Sequence, residues 1–199
     1  FRVVLIPIMS PDGRIHAGVE SLVGYPIDRV GYHAQGRWKD GSPINYSGPY
    51  HNHPLRKEET SHIGGDFNDH GINLMYDDWF GPNHCPETDA YLKLAHEEAP
   101  NCVLNLHSCQ SGPFFNPGDQ FIPEAFRQRQ NAFSELVALR LHDCGLRPQS
   151  NRPTLRNLGL CLYNVWYFVC GCLPLTFEFP HGTSRKPFTH DEILDIGLI

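Results

Sequence analysis

Two short, strongly apolar runs on either side of a long amphipathic segment constrain this chain more than any other feature. Val103-Leu104-Asn105-Leu106-His107 reads as a buried strand. Leu173 to Phe179, with Pro174 near its start and Pro180-His181-Gly182 closing it, reads as a second. Between them, the segment after Pro123 sets Phe126, Phe133, Leu136, Val137 and Leu141 on one helical face, with Arg127, Gln128, Glu135 and Arg140 elsewhere. Gly145 ends that helix in the C-cap role. Thr189-His190-Asp191-Glu192 reads as a capping box, followed by Ile193, Leu194 and Ile196. Strand, helix, strand, helix in alternation predicts an α/β layered domain with a parallel or mixed sheet.

The first half is less regular. Glu87 to Glu98 carries Ala90, Tyr91, Leu94 and Ala95 at helical spacing between Pro86 and Pro100. Val3 to Ile8 is a strand-like run that ends in Ser10-Pro11-Asp12-Gly13, a turn signature. From Gly31 to Gly65 the composition shifts to Gly, Pro, His, Asn and charges without a helical period, which predicts an irregular insertion at about 31–65. The chain opens on Phe1 directly into a strand-like run and closes at Ile199 soon after a helix start. It reads as a piece of a longer polypeptide.

Composition narrows the function. Hydrophobic residues make up 40% and charged residues 19%, which is a folding composition. The net charge is −6 with Lys and Arg scattered, so no nucleic-acid partner is expected. No apolar run approaches the ~20 residues that span a bilayer, and no membrane partner is expected. Seven Cys, odd in number and irregularly spaced, argue against a full disulfide framework. Cys170-Gly-Cys172 is too short for a zinc knuckle, and the thiols are expected to be packed or isolated. Twelve His raise the question of a metal, although His51-Asn-His53 reads as loop.

Ligands of α/β sheets collect at the carboxyl ends of strands. Two strand ends here finish on ionisable groups, Leu106-His107-Ser108 and Phe177-Glu178-Phe179. A His leaving an apolar strand into a Gly/Ser-rich loop suits a metal ligand or general base. A Glu between two Phe residues is expected in an apolar setting that raises its pKa toward that of an acid/base catalyst. Cys109 beside His107 admits a cysteine hydrolase, but nothing supplies its oxyanion hole.

The order of short motifs resembles the zinc carboxypeptidases. Ile6-Pro7-Ile8-Met9-Ser10-Pro11-Asp12-Gly13 is similar to that family's "N-P-D-G" strand and turn, and Asn68 to Asp77 to its "N-x-N-G-V-D-L-N-R-D" stretch. Pro86-Glu87-Thr88 matches its "P-E-T" helix start, Val103 to Ser108 its "L-H-S" strand, and Thr176 to Phe179 its "T-x-E-L" strand. The resemblance implies a single, N-terminally incomplete catalytic domain over residues 1–199, three-layered, with a central mixed sheet flanked by helices. It also implies zinc as cofactor, His107 as a zinc ligand, Glu178 as the catalytic carboxylate, and a peptide or amide substrate. Tyr76 with Met75, Asp77 and Ser108 would line the substrate site.

Three departures qualify this expectation. The family's His-x-x-Glu ligand motif is missing upstream, and the literal match His84-Cys85-Pro86-Glu87 overlaps the helix start. The family's Asn-Arg pair falls on Met75 and Tyr76; a second register, Gly65 to Asp69, puts Asp69 at the Arg. Neither residue reproduces the bidentate guanidinium that grips a carboxylate, and Arg37 or Lys39 beside Trp38 are the alternative charges. The family's mobile Tyr has no clear counterpart, since Tyr163 and Tyr167 also read as core packing. The sequence predicts a zinc-dependent peptidase of carboxypeptidase type. Its rivals are an amidase or deacylase on the same fold and a binding domain that has shed its metal.

Overall fold

In the computed structural model, which describes residues 2–45, 55–116, 120–149 and 160–199, Ser10 begins a helix where a turn was expected. Its hydroxyl accepts the Gly13 N–H at 3.2 Å and Pro11 takes the first helical position, so the same residues serve as cap and first turn of α1 (Pro11–His16). His51 and His53 lie outside the described residues.

The chain divides into two compact units: Phe1–Glu20 with Asp28–Leu92, and Ser21–Ile27 with Lys93–Ile199. In the first unit the run Val3 to Ile8 forms no strand ladder; Val3 is 83% and Leu5 77% exposed. Helix α2 (Ile27–Gln35) leads into β1 (Gly36–Trp38), which pairs antiparallel with β2 (Thr60–Ile63) through Gly36↔Ile63 and Arg37↔His62. Gly36 has φ +81°, and a Cβ there would come within 2.2 Å of the His62 carbonyl oxygen. The stretch expected to be irregular therefore contains a helix end and a strand pair among its described residues. Phe67, Ile72, Leu74 and Trp79 are buried in this unit. Helix α3 (Pro86–Glu98) begins at Pro86, as its sequence indicates.

The second unit is built on a mixed three-stranded sheet in the order β3-β5-β4. Strand β3 (Cys102–Cys109) runs parallel to β5 (Leu173–Pro180), and β4 (Phe114–Phe115) antiparallel to it. Helix α4 (Glu124–Asp143) lies between β4 and α5 (Val165–Cys170) in sequence, and α6 (His190–Gly197) follows β5. Leu175 and Phe177 of β5 pack with Phe115, Leu141, Leu146, Phe188 and Ile196 in one cluster. Burying each such side chain contributes roughly 1.5–3 kcal/mol. The expected capping box at α6 is present in both directions: the Thr189 hydroxyl accepts from Glu192 N–H, and the Glu192 carboxylate accepts from Thr189 N–H at 2.8 Å.

Two expectations need correction here. β3 is an edge strand, not a buried one: Leu104 and Leu106 are 50% and 59% exposed, while Asn105 is buried. Helix α4 turns Gln130, Ser134 and Leu141 inward and leaves Phe133 and Leu136 exposed. The Gln130 amide donates to the Pro174 carbonyl, so a polar residue holds a place assigned to the apolar face.

Candidate active site at the ends of the parallel strands

The parallel register sets His107 directly beside Glu178. Neighbouring residues in register share a face of the sheet, so the two side chains emerge together. The Nδ1–H of His107 donates to Glu178 Oε2 at 3.1 Å. The Asn116 amide donates to Oε1 at 2.6 Å and the Tyr163 hydroxyl to the same oxygen at 3.2 Å. The Tyr163 ring also meets the His107 ring edge-on, with centroids 5.9 Å apart. Glu178 is 3% exposed, whereas the His107 side chain is 39% exposed and forms the outward part of the pair.

β4 reaches Glu178 because the turn before it carries no side chain at Gly112. A Cβ there would come within 2.5 Å of the Glu178 carbonyl oxygen and of the Phe179 carbonyl carbon. Only glycine permits that approach.

Burial pushes the Glu178 carboxyl up, but the His107 hydrogen bond and charge, with the Asn116 and Tyr163 hydrogen bonds, outweigh it and hold the group below the usual carboxylate range. The sequence expectation was the reverse. Its error lies in geometry: Phe177 and Phe179 alternate to the opposite face of β5, where they pack with the core cluster. Glu178 sees donors, and it is ionised at neutral pH.

His181 joins the same strand ends. Its backbone N–H donates to the Cys109 carbonyl at 3.0 Å, and its ring donates to the Ser108 carbonyl. Its Nδ1 is buried with no partner among the described residues, and burial holds its pKa low. The turn Pro180-His181-Gly182 immediately after β5 was the signal that could have found it. Asn116, 62 positions from Glu178, left none. Ser108 is exposed at the end of β3. Burial and the nearby Glu178 charge push the Cys109 thiol up, which disfavours the thiolate that a cysteine nucleophile needs. None of the seven cysteines, all of them among the described residues, forms a disulfide.

The remaining sequence candidates lie in the first unit. Met75 and Tyr76 are half-buried in a 3-10 turn, Leu74–Tyr76, capped by the Asn73 side chain. Asp77 is buried; its Oδ2 accepts the Cys85 N–H at 2.9 Å, ahead of α3. Burial pushes this carboxyl up, but bonds from Thr88, Cys85 and Asp78 bring it below the usual range. His84 bridges the Gly81 carbonyl at 2.7 Å and the Asp89 carboxylate at 2.6 Å, while Glu87 accepts from the Asn68 amide at 3.2 Å. Each is held by local partners. Arg37 donates to the Gly31 and Gly36 carbonyls, and Lys39 is exposed.

No three His, Cys, Asp or Glu side chains gather into a metal-binding group among the described residues. At Glu178 one imidazole and one carboxylate engage each other. These donors alone do not fit a zinc ion, which takes at least three protein ligands.

No family model matches the chain, and a search of curated proteins returns no match. The crystal structure of metallo-carboxypeptidase from Burkholderia cenocepacia is similar, with a TM-score of 0.50 and 16% sequence identity. The likeness covers 70% of this chain and 39% of that one, so the chain spans well under half of the neighbour's length. It is a likeness of fold. The chain has a mixed α/β fold similar to that of a metallo-carboxypeptidase.

Proposed function

We propose that this chain is part of a hydrolase of the metallocarboxypeptidase type, cleaving a peptide bond or a related amide with Glu178 as general base. One observation carries the reading: the buried, ionised Glu178 carboxylate has Oε1 held by two donors and Oε2 turned toward His107. An ionised carboxylate so held can take a proton from a water molecule and return it to the leaving amine.

In this reading zinc is the cofactor. Such an ion, if bound, would lower the pKa of a water toward ~7 and would polarise the scissile carbonyl. His107 would contribute one ligand to such an ion. Ser108, exposed at the end of β3 beside His107, lines the substrate site. Tyr76 standing in place of an Arg favours a second reading, an amidase or deacylase on the same fold.

The test uses the intact protein, assayed for zinc and for hydrolysis of a C-terminally free peptide beside its C-terminal amide. Hydrolysis that falls about 10²- to 10⁴-fold in Glu178→Gln supports the general base. Strong preference for the free acid supports a carboxypeptidase, and equal cleavage supports the amidase. A folded protein with neither zinc nor hydrolysis overturns both and supports a binding domain.

A further inference from the structure

The geometry points to Asn116 as a positioning residue that fixes which oxygen of Glu178 acts; this rests on the reading of Glu178 as general base. The two oxygens of that carboxylate are not equivalent. Oε1 accepts from both Asn116, at 2.6 Å, and Tyr163, at 3.2 Å, whereas Oε2 faces His107 on the exposed side of the pair. A carboxylate free to rotate about its last bond would exchange those roles. The short amide bond to Oε1 opposes that rotation.

A purely structural part for this side chain is disfavoured on two counts. β4 is already seated without it, through Phe114↔Glu178, Phe115↔Phe177 and the Asn116 backbone N–H on the Thr176 carbonyl at 2.9 Å. The amide also gives its N–H to Glu178 while its own Oδ1 stays buried without a partner among the described residues. An unsatisfied buried acceptor is unfavourable, so an apolar side chain would serve packing better. What the amide adds is orientation. Turning it over would set oxygen against oxygen, so only one arrangement is stable.

The test compares Asn116→Ala and the near-isosteric Asn116→Asp with Glu178→Gln in the intact protein. The first readout is the infrared carboxylate stretch of Glu178, assigned as the band absent from Glu178→Gln. The second is kcat and KM on the better of the two peptide substrates above. A shifted or broadened Glu178 band in Asn116→Ala, with kcat down about tenfold or more and KM within about twofold, is expected, in line with one hydrogen bond to a charged group. Asn116→Asp, which keeps the volume but removes the donor, is expected to lose at least as much. Asn116→Gln, which keeps the donor on a longer arm, is expected to recover part of kcat. An unchanged band and unchanged kcat in a folded Asn116→Ala overturn the inference while leaving Glu178 its role. If Glu178→Gln itself retains hydrolysis, it is the general-base reading that fails. The band then decides alone whether Asn116 holds the carboxylate. Should Asn116→Asp not fold, Asn116→Ala and Asn116→Gln carry the comparison.

Discussion

His107 Nδ1 and Glu178 Oε2 stand 3.1 Å apart although 71 positions separate them in sequence. The parallel β3–β5 ladder produces the meeting, so the pair and the ladder are expected to be coupled. A double-mutant cycle on stability, His107→Ala with Glu178→Gln, is predicted to give an interaction of about 0.5–3 kcal/mol. Additivity of the two changes would show that the contact contributes nothing to the folded state. Circular dichroism of each variant checks that the ladder survives.

His84 faces two acceptors at once, the Gly81 carbonyl and the Asp89 carboxylate, and its pKa is raised, chiefly by the Asp89 hydrogen bond. A raised folded-state pKa means that its stabilisation is fully present below about pH 6.5, the ordinary His value, and fades as pH climbs through the raised one. Asp89 is largely exposed, which limits the pair to about 0.2–1 kcal/mol. Urea denaturation of His84→Ala against the parent should therefore show a larger deficit at pH 6 than at pH 9. An equal deficit at both would remove the ionic part.

Asp77 carries the opposite sign. Its lowered pKa makes its contribution complete above about pH 3.9, the ordinary Asp value, and lost as pH falls through the folded-state value. Asp77→Ala leaves the Cys85 N–H and the Thr88 hydroxyl without their acceptor at the start of α3. The expected loss is about 1–3 kcal/mol at pH 7, shrinking in acid. Chemical denaturation at pH 7 and pH 3 measures both.

The inward face of α4 is tested by two leucines five positions apart. Leu141 is 1% exposed and Leu136 is 66% exposed. Leu141→Ala is predicted to cost about 2–5 kcal/mol and Leu136→Ala no more than about 0.5 kcal/mol in thermal or urea unfolding. Equal losses would restore the face inferred from the sequence.

The contrast in α4 also shows what a sequence can and cannot disclose. Helices α3 and α6 were legible because their signals are local: Pro86 at the first position, and Thr189 with Glu192 three residues on. Strand β5 was legible because it is buried along nearly its whole length. In α4 apolar residues surround the axis, and the face was decided by β5, where the Pro174 carbonyl drew Gln130 inward. β3 looked buried because Leu104 and Leu106 resemble a core strand, but burial depends on what lies beside a strand, and β3 is at the edge. The site divides in the same way. His107 and Glu178 could be named from their strand ends. The further donors to Glu178, Asn116 and Tyr163, come from a loop and a helix approach whose meeting no spacing encodes.

Gly112 carries a last implication, for how this chain tolerates change. It has no functional group and touches no reacting atom, yet any heavier residue there would wedge the turn away from β5 and take β4 and Asn116 with it. The most mutationally brittle position near Glu178 is thus one where the chain displays nothing but hydrogen, and random mutagenesis scored on the site should find codon 112 as intolerant as the acid itself.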